Sequence, residues 1–422
     1  MKRSPPYLAA AAAMVLLTGI SGCGGGGGSS SSGSVSSSSS SSSSSASAAL
    51  PPIGSSGASS TPQQVVAAMA PGINLGNTME AIGWDGTPPF THSEEWAWGA
   101  GTVNQAIFTA YATAGFKSVR IPVNWSQYAD ANDNIPQFWL DRTKQVVDYA
   151  RNAGLYVIIN IHSDSWVTAD PTQAATVKAK MTKYWTQIAN NFKTYDNHLL
   201  FAAQNETYDS TNHGSQPTTA ECAAQTSYNQ AFVDAVRATG GNNSARTLVV
   251  QAYSTNIDDA VTCNATLPTD SIAHRLMMEI HYYSPWDFAL NSGDTTHWQY
   301  GAIATDPSAV ETWGNEGFTR QEFDKMQTAF INKGIPVIMG EYGAYPKGSG
   351  PGQGITTYTN YWAQYTTNAA VTRGIIPFWW DTPGGMFDRS TGAVTAPGPI
   401  NAIMAGMTTN PEPAASVGIN GS

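Results

Sequence analysis

The chain has 422 residues, 20 basic and 30 acidic, for a formal charge of −10. An acidic chain with only 12% charged residues argues against nucleic acid or an anionic membrane face as the main partner. The 13 Trp and 18 Tyr suit a protein outside the cytoplasm that handles neutral polar ligands.

Lys2 and Arg3 precede an apolar run from Tyr7 to Ile20, too short to span a bilayer comfortably. Residues 1–22 therefore read as an export signal. The run ends in Ile20-Ser21-Gly22-Cys23, which resembles the bacterial lipobox, whose Cys becomes the lipidated first residue. An ordinary signal peptide cleaved at a small residue is the alternative. Residues 23–62 are Gly and then mostly Ser, a composition that buries too little apolar surface to fold and serves as a flexible tether. The expected location is extracytoplasmic: secreted, or lipid-anchored to the bacterial outer membrane or cell surface. With Cys23 set aside, Cys222 and Cys263 form an even pair, either one disulfide in an oxidising compartment or two buried thiols. Seven His without His-x-x-x-His or Glu-x-x-His spacing predict no metal site, and nothing predicts a cofactor.

From residue 63 to 410 apolar strand-like runs alternate with amphipathic segments. Strands are expected at 72–75, 118–122, 156–161, 199–203, 247–252, 275–280, 336–339 and 375–379. Helices are expected at 103–113, 140–151, 179–192, 227–238, 320–332 and 355–370. Gly115, Gly154, Gly334 and Gly374 stand where helices should stop. Eight such strands predict an α/β fold, a (β/α)₈ TIM barrel with long βα-loops after Ile161, Ala203 and Ile280. A doubly wound sheet is the alternative. It lacks its nucleotide fingerprint here, because Gly72-Ile73-Asn74-Leu75-Gly76-Asn77 has the wrong glycine spacing. Residues 411–422 read as a short tail without order.

Polar residues recur at the carboxyl ends of these strands: Arg120, Asn160 with His162, Gln204-Asn205-Glu206, Glu279 and His281 with Tyr283, Glu341 and Trp380-Asp381. In a barrel all of them converge on one mouth. Each alone has an ordinary structural reading, such as an ion pair or a packed histidine. Two glutamates at separate strand ends are the notable feature, since burying a carboxylate is costly without a partner or a task.

These stretches resemble glycoside hydrolase family 5, which contains many endo-β-1,4-glucanases. The resemblance runs through Ile73-Asn74-Leu75-Gly76-Asn77-Thr78, Val119-Arg120-Ile121-Pro122, Ile159-Asn160-Ile161-His162, Asn205-Glu206, His281-Tyr282-Tyr283-Ser284-Pro285, Gly340-Glu341-Tyr342-Gly343 and Trp379-Trp380-Asp381. Thr207 stands where the family often has Pro, and His162-Ser163-Asp164 where relatives often have His-His-Asp. The resemblance implies a retaining glycosidase cutting internal β-1,4 bonds of a plant cell-wall glucan, cellulose or mixed-linkage. It implies Glu206 as acid/base and Glu341 as nucleophile. It further implies Arg120, His162, Asn205, His281, Tyr283 and Trp380 as substrate-binding and supporting residues. Trp125 and Trp166 follow their strands closely and are expected to stack on sugar rings. β-Mannanase, xyloglucanase and a non-catalytic glycan-binding lipoprotein are the alternatives. The expected partner is a glucan polymer or oligosaccharide, met by a monomer.

Overall fold

In the computed structural model, residues 62–212, 216–347 and 356–408 are described. The expected export signal, Cys23, the Ser-rich tether and the tail from 411 lie outside them. Among the described residues no helix is long and apolar enough to cross a membrane.

Eight parallel strands close into a barrel in sequence order. They are β1 (Gly72–Leu75), β2 (Ser118–Ile121), β3 (Tyr156–Asn160), β4 (Leu199–Ala202), β5 (Leu248–Gln251), β6 (Leu276–Tyr282), β7 (Val337–Tyr342) and β8 (Ile375–Asp381). The helices are α1 (Pro62–Met69), α2 (Gln105–Thr113), α3 (Gln137–Asn152), α4 (Ala174–Asn191), α5 (Thr219–Ala238), α6 (Ile257–Thr262), α7 (Trp286–Ala289), α8 (Glu316–Ala329), α9 (Thr357–Val371) and α10 (Pro397–Gly406). All four glycines expected at helix ends adopt positive φ, as at Gly334 with φ 81°.

Two apolar layers follow from the period-2 alternation of strand side chains. The larger lies between strands and helices and takes Val119, Val157, Phe201, Val250, Met339 and Trp379. The smaller fills the barrel's lower interior with Tyr156, Ile158, Leu200, Val249, Met277, Ile338, Ile376 and Phe378. Helix α1 closes the floor, because Val66, Met69 and Ala70 join this inner cluster. Gly72 makes room for the ring of Phe378, which a Cβ would meet at 2.3 Å.

The last strands outrun their expected ends. The polar residues that close β6, β7 and β8 pair rather than turning into loops: His281 aligns with Glu341, and Tyr342 with Trp379. Helix α5 starts at Thr219, eight positions before the expected start at 227. A capping box explains this: Thr218 accepts from the Glu221 backbone N–H while the Glu221 carboxylate takes the N–H of Thr218. Cys222 on α5 and Cys263, just after α6, are joined by a disulfide.

Candidate active site

The upper interior of the barrel is polar. Counting in twos along the strands keeps Asn74, Arg120, Asn160, Gln251, Glu279, His281 and Trp380 on the inward face. On β7 the count breaks. Ile338 packs inward, yet its register with both neighbouring strands shifts after Met339. This bulge at Gly340 and Glu341 sets two residues against one, so the Glu341 carboxylate joins the interior. Gly340 has no side chain for a steric reason: a Cβ there would sit 1.9 Å from Oε1 of Glu279. Gly340 thus lies within β7 and not in a turn.

The fully buried Arg120 organises the mouth. Its Nη1 donates to Glu341 Oε1 at 2.9 Å and to Asn74 Oδ1 at 3.1 Å, and its Nη2 donates to Asn205 Oδ1 at 2.8 Å. Its Nε forms an ion pair with Glu279 Oε1 at 3.0 Å. The Tyr283 hydroxyl donates to the other Glu341 oxygen at 3.0 Å. His281 spans the two halves of the site, with Nδ1 at 2.7 Å from Glu206 Oε1 and 3.6 Å from Glu341 Oε2. Its Nε2 lies 3.3 Å from Glu279 Oε1. Carboxylate oxygens of Glu206 and Glu341 and a ring nitrogen of His281 all lie within 4.8 Å of one another.

The electrostatics follow from burial set against these partners. Burial pushes the Glu341 carboxyl above its usual range, and Glu206 adds to this, while His281, Arg120 and the Tyr283 hydrogen bond pull it back. Burial opposes the charge on His281, yet Glu341, Glu206 and Glu279 lift its pKa to about 9. Burial likewise acts against the Glu279 charge, but Arg120 and His281 bring its carboxyl below the usual value. Burial, then Arg120 and His281, hold His162 well below its usual value, so it is neutral. Burial raises Tyr283 well above its usual value and keeps it a hydroxyl donor. Glu206 is the most open of the carboxylates, with 24% of its side chain exposed against 7% for Glu341 and none for Glu279.

The structure brings Arg120, Asn205, Glu206, His281, Tyr283 and Glu341 into one connected network. His162 and Trp380 complete the rim, stacked with ring centroids 5.8 Å apart. Gly76 gives Trp380 its place, since a Cβ would lie 2.9 Å from its ring. The expectation for Trp125 is corrected. Trp125 is fully buried: its indole N–H donates to the Asn160 carbonyl at 2.9 Å, and Asp164 holds its backbone N–H at 3.2 Å. Both bonds fold the ring back against β3, away from any sugar. Trp166 is half-buried and stacks on Tyr184 at 5.3 Å, with the Lys180 ammonium 5.0 Å from its ring. That contact packs one face of the ring against α4.

Thr207, in place of the family's frequent Pro, donates its hydroxyl to Gln204 at 3.0 Å. Glu279 and Asn74 stand in the sequence pattern without an assigned role, and Gln251 and Glu80 carry no mark in it. Glu279 lies two residues before His281, and that spacing was its one visible signal. Glu80 takes the N–H groups of Asn77 and Thr78, and burial raises its pKa to about 7. Away from the mouth, atoms of Asp287, His297 and Glu311 lie within 4.8 Å of one another, a spacing compatible with a cation.

A family model, Cellulase (glycosyl hydrolase family 5), matches residues 76–384. Endoglucanase A of Paenibacillus barcinonensis is 38% identical over 369 residues, covering 82% of this chain and 90% of the relative. The xyloglucan-specific endo-beta-1,4-glucanase BoGH5A of Bacteroides ovatus is 37% identical over 355 residues, covering 82% and 70%. Among solved structures, the Bacteroides ovatus GH5 xyloglucanase in complex with a XXXG heptasaccharide superposes with a TM-score of 0.77 at 36% identity, covering 84% of this chain and 78% of that one. A GH5-4 broad specificity endoglucanase from Bacteroides salanitronis gives 0.76 at 36% identity, covering 85% and 97%. With two carboxylates facing each other across the mouth of a closed barrel, and with relatives of this identity over most of its length, the chain belongs to glycoside hydrolase family 5.

Proposed function

We propose that this chain cuts internal β-1,4 bonds of a glucan by double displacement, with Glu341 as nucleophile and Glu206 as acid/base. The observation that carries the reading is the closeness of the two carboxylates, with an oxygen of each inside 4.8 Å. Retaining enzymes hold their carboxyls about 5–5.5 Å apart, whereas inverting enzymes leave about 6.5–9.5 Å for a water.

In the first half, Glu341 attacks the anomeric carbon as the glycosidic bond breaks. The bonding pair goes to the leaving oxygen, which takes the Glu206 proton. In the second half, Glu206 as carboxylate takes a proton from water, whose oxygen displaces Glu341. Arg120 and Tyr283 each donate to one oxygen of Glu341 and favour its charged form. Asn205 has its Oδ1 bound to Arg120, which leaves its amide N–H groups to meet a sugar hydroxyl. Trp380 offers a half-buried ring face to a pyranose.

Xyloglucan is the second reading within this activity, favoured by a xyloglucan-specific relative at 37% identity. Two measurements test the whole. Proton NMR of early product from barley glucan should show the β-anomer first, and an α-anomer first would refute retention. Initial rates on carboxymethyl cellulose, barley glucan, xyloglucan and mannan should favour a glucan backbone, and a preference for mannan would overturn the substrate class.

We further propose that the chain is exported and held by a lipid on Cys23. The lipobox-like Ile20-Ser21-Gly22-Cys23 supports this. Radiolabelled palmitate should be incorporated into the full chain and not into Cys23→Ala.

A further inference from the structure

We propose that Glu279 is a positioning residue that keeps His281 doubly protonated and clamps it to Arg120, so that acid/base and nucleophile act as one unit. This rests on the roles proposed above for Glu206 and Glu341.

The geometry is specific. A single oxygen, Glu279 Oε1, meets Arg120 Nε at 3.0 Å and His281 Nε2 at 3.3 Å. Its other oxygen takes the Gln251 side-chain amide, and Gln251 in turn accepts the backbone N–H of Gln204 at 3.0 Å. Gln204 lies two residues before Glu206, so the carboxylate is tied to β2, β5 and β6 and to the residues leaving β4. On β7 the space it occupies is kept open by Gly340. Nothing in the substrate can reach Glu279, since its side chain is fully buried.

The charge on the ring follows from its neighbours. His281 has the Glu279 carboxylate at Nε2 and, at Nδ1, the Glu206 carboxyl group at 2.7 Å with the Glu341 carboxylate at 3.6 Å. With Glu206 holding its acid proton, a lone pair on Nε2 would face the Glu279 charge and one on Nδ1 the Glu341 charge, so both nitrogens carry hydrogen and the ring is a cation. The groups acting on it are Glu206 from the β4 end, Glu279 from β6 and Glu341 from β7, with Arg120 from β2 and neutral His162 from β3 opposite. During the first displacement one negative charge leaves Glu341 and one appears on Glu206. Arg120 serves the first and His281 the second. Glu279 is the fixed anion shared by both, which holds the two cations together while the charge crosses between them.

The test uses the full chain and the variant Glu279→Gln, which keeps the shape and removes the charge. Its amide can donate to Nε2, which lets the ring become neutral while Nδ1 still faces Glu206. On barley glucan, kcat should fall about tenfold or more with KM changed less than about twofold. The alkaline limb of the kcat–pH profile should move down by about one unit or more. An unchanged limb with near-normal kcat in folded protein would overturn the proposal. A second measurement needs no variant at the site: ¹⁵N-histidine NMR of the wild type, assigned with His281→Asn, should show both His281 nitrogens protonated at pH 7.5. A neutral ring there would also overturn it. If Glu341→Gln is inactive while Glu279→Gln is normal, this inference fails and the catalytic assignment stands; an active Glu341→Gln sinks the assignment instead.

Discussion

Glu206 and Glu341 carry the sharpest predictions at the residue scale. Glu341→Gln removes the nucleophile without removing volume, and kcat should drop on the order of a thousandfold or more while thermal stability stays close to wild type. Glu206→Gln should do the same on polysaccharide, yet recover much of the first step on an aryl glycoside whose leaving group needs no proton. Comparing kcat/KM, which reports the first displacement, on the two substrate types checks the acid role, and equal losses on both would remove Glu206 from the acid position. The acid limb is also predictable. Burial lifts the Glu341 carboxyl above 4.5, so as pH falls the nucleophile takes up a proton earlier than an ordinary glutamate would. A kcat/KM profile should therefore lose its acid side at a midpoint above 4.5. A midpoint below that value would mean that Arg120, His281 and Tyr283 outweigh burial. The eight residues of the site were legible because each ends an apolar run. The role of Glu279 was not, because that residue sits between Met278 and Ile280 inside such a run. Its meaning depends on Arg120 and Gly340, which come from other strands. Trp125 misled for the reverse reason: an indole just after a strand reads as mouth-lining until Asp164 is seen to pull its backbone inward.

Among the elements, β7 shows where reading in twos stops working. Sequence periodicity carries the inward face as far as Ile338, but a bulge is a property of two neighbouring strands and leaves no mark on one. The strands themselves were legible, since each is a short apolar run between turn residues, and their order around the barrel followed from the alternation with helices. Helix α5 was misplaced at its start because its Thr218–Glu221 cap lies outside the apolar pattern. The same helix carries one end of the disulfide, which closes a separation of 41 residues to Cys263. A loop of that length restrains the unfolded chain by roughly 3–4 kcal/mol in the chain-entropy account. The double variant Cys222→Ser, Cys263→Ser should unfold at clearly lower denaturant with kcat unchanged, since neither residue borders the mouth. Equal midpoints for variant and wild type would show that the bond adds nothing.

For the whole molecule, buried acids set the response to pH. In the fold, burial keeps Glu80 and Asp259 protonated up to about 7, against ordinary values of 4.5 and 3.8. Groups raised in this way stabilise the fold below their unfolded values, and that contribution is lost as pH rises through about 7. His281 behaves alike between 6.5 and about 9. Asp388 acts in the other direction: hydrogen bonds from Ser390 and Thr391 bring it down to about 2, so its share is present above 3.8 and lost as pH falls through about 2. The melting temperature should thus be highest around pH 4 to 5 and decline steadily toward pH 9, a trend the net charge of −10 reinforces by self-repulsion. Scanning calorimetry across that range checks it, and a melting temperature that rises from pH 5 to 9 would refute the assignment of these buried acids.

Helix α1 packs Val66 and Met69 into the floor of the barrel, and Met407, just past α10, packs against the same cluster. The described chain therefore enters and leaves on one side, and the sugar-cutting mouth opens on the other. A molecule held close to where the described chain begins or ends, on α1 or α10, points its working face away from whatever holds it. Coupled to beads through a thiol introduced on α10 as Ala405→Cys, the enzyme should hydrolyse a long polymer about as fast as it does in solution. Coupled at random through its lysines, it should lose rate on the polymer while keeping it on a short oligosaccharide.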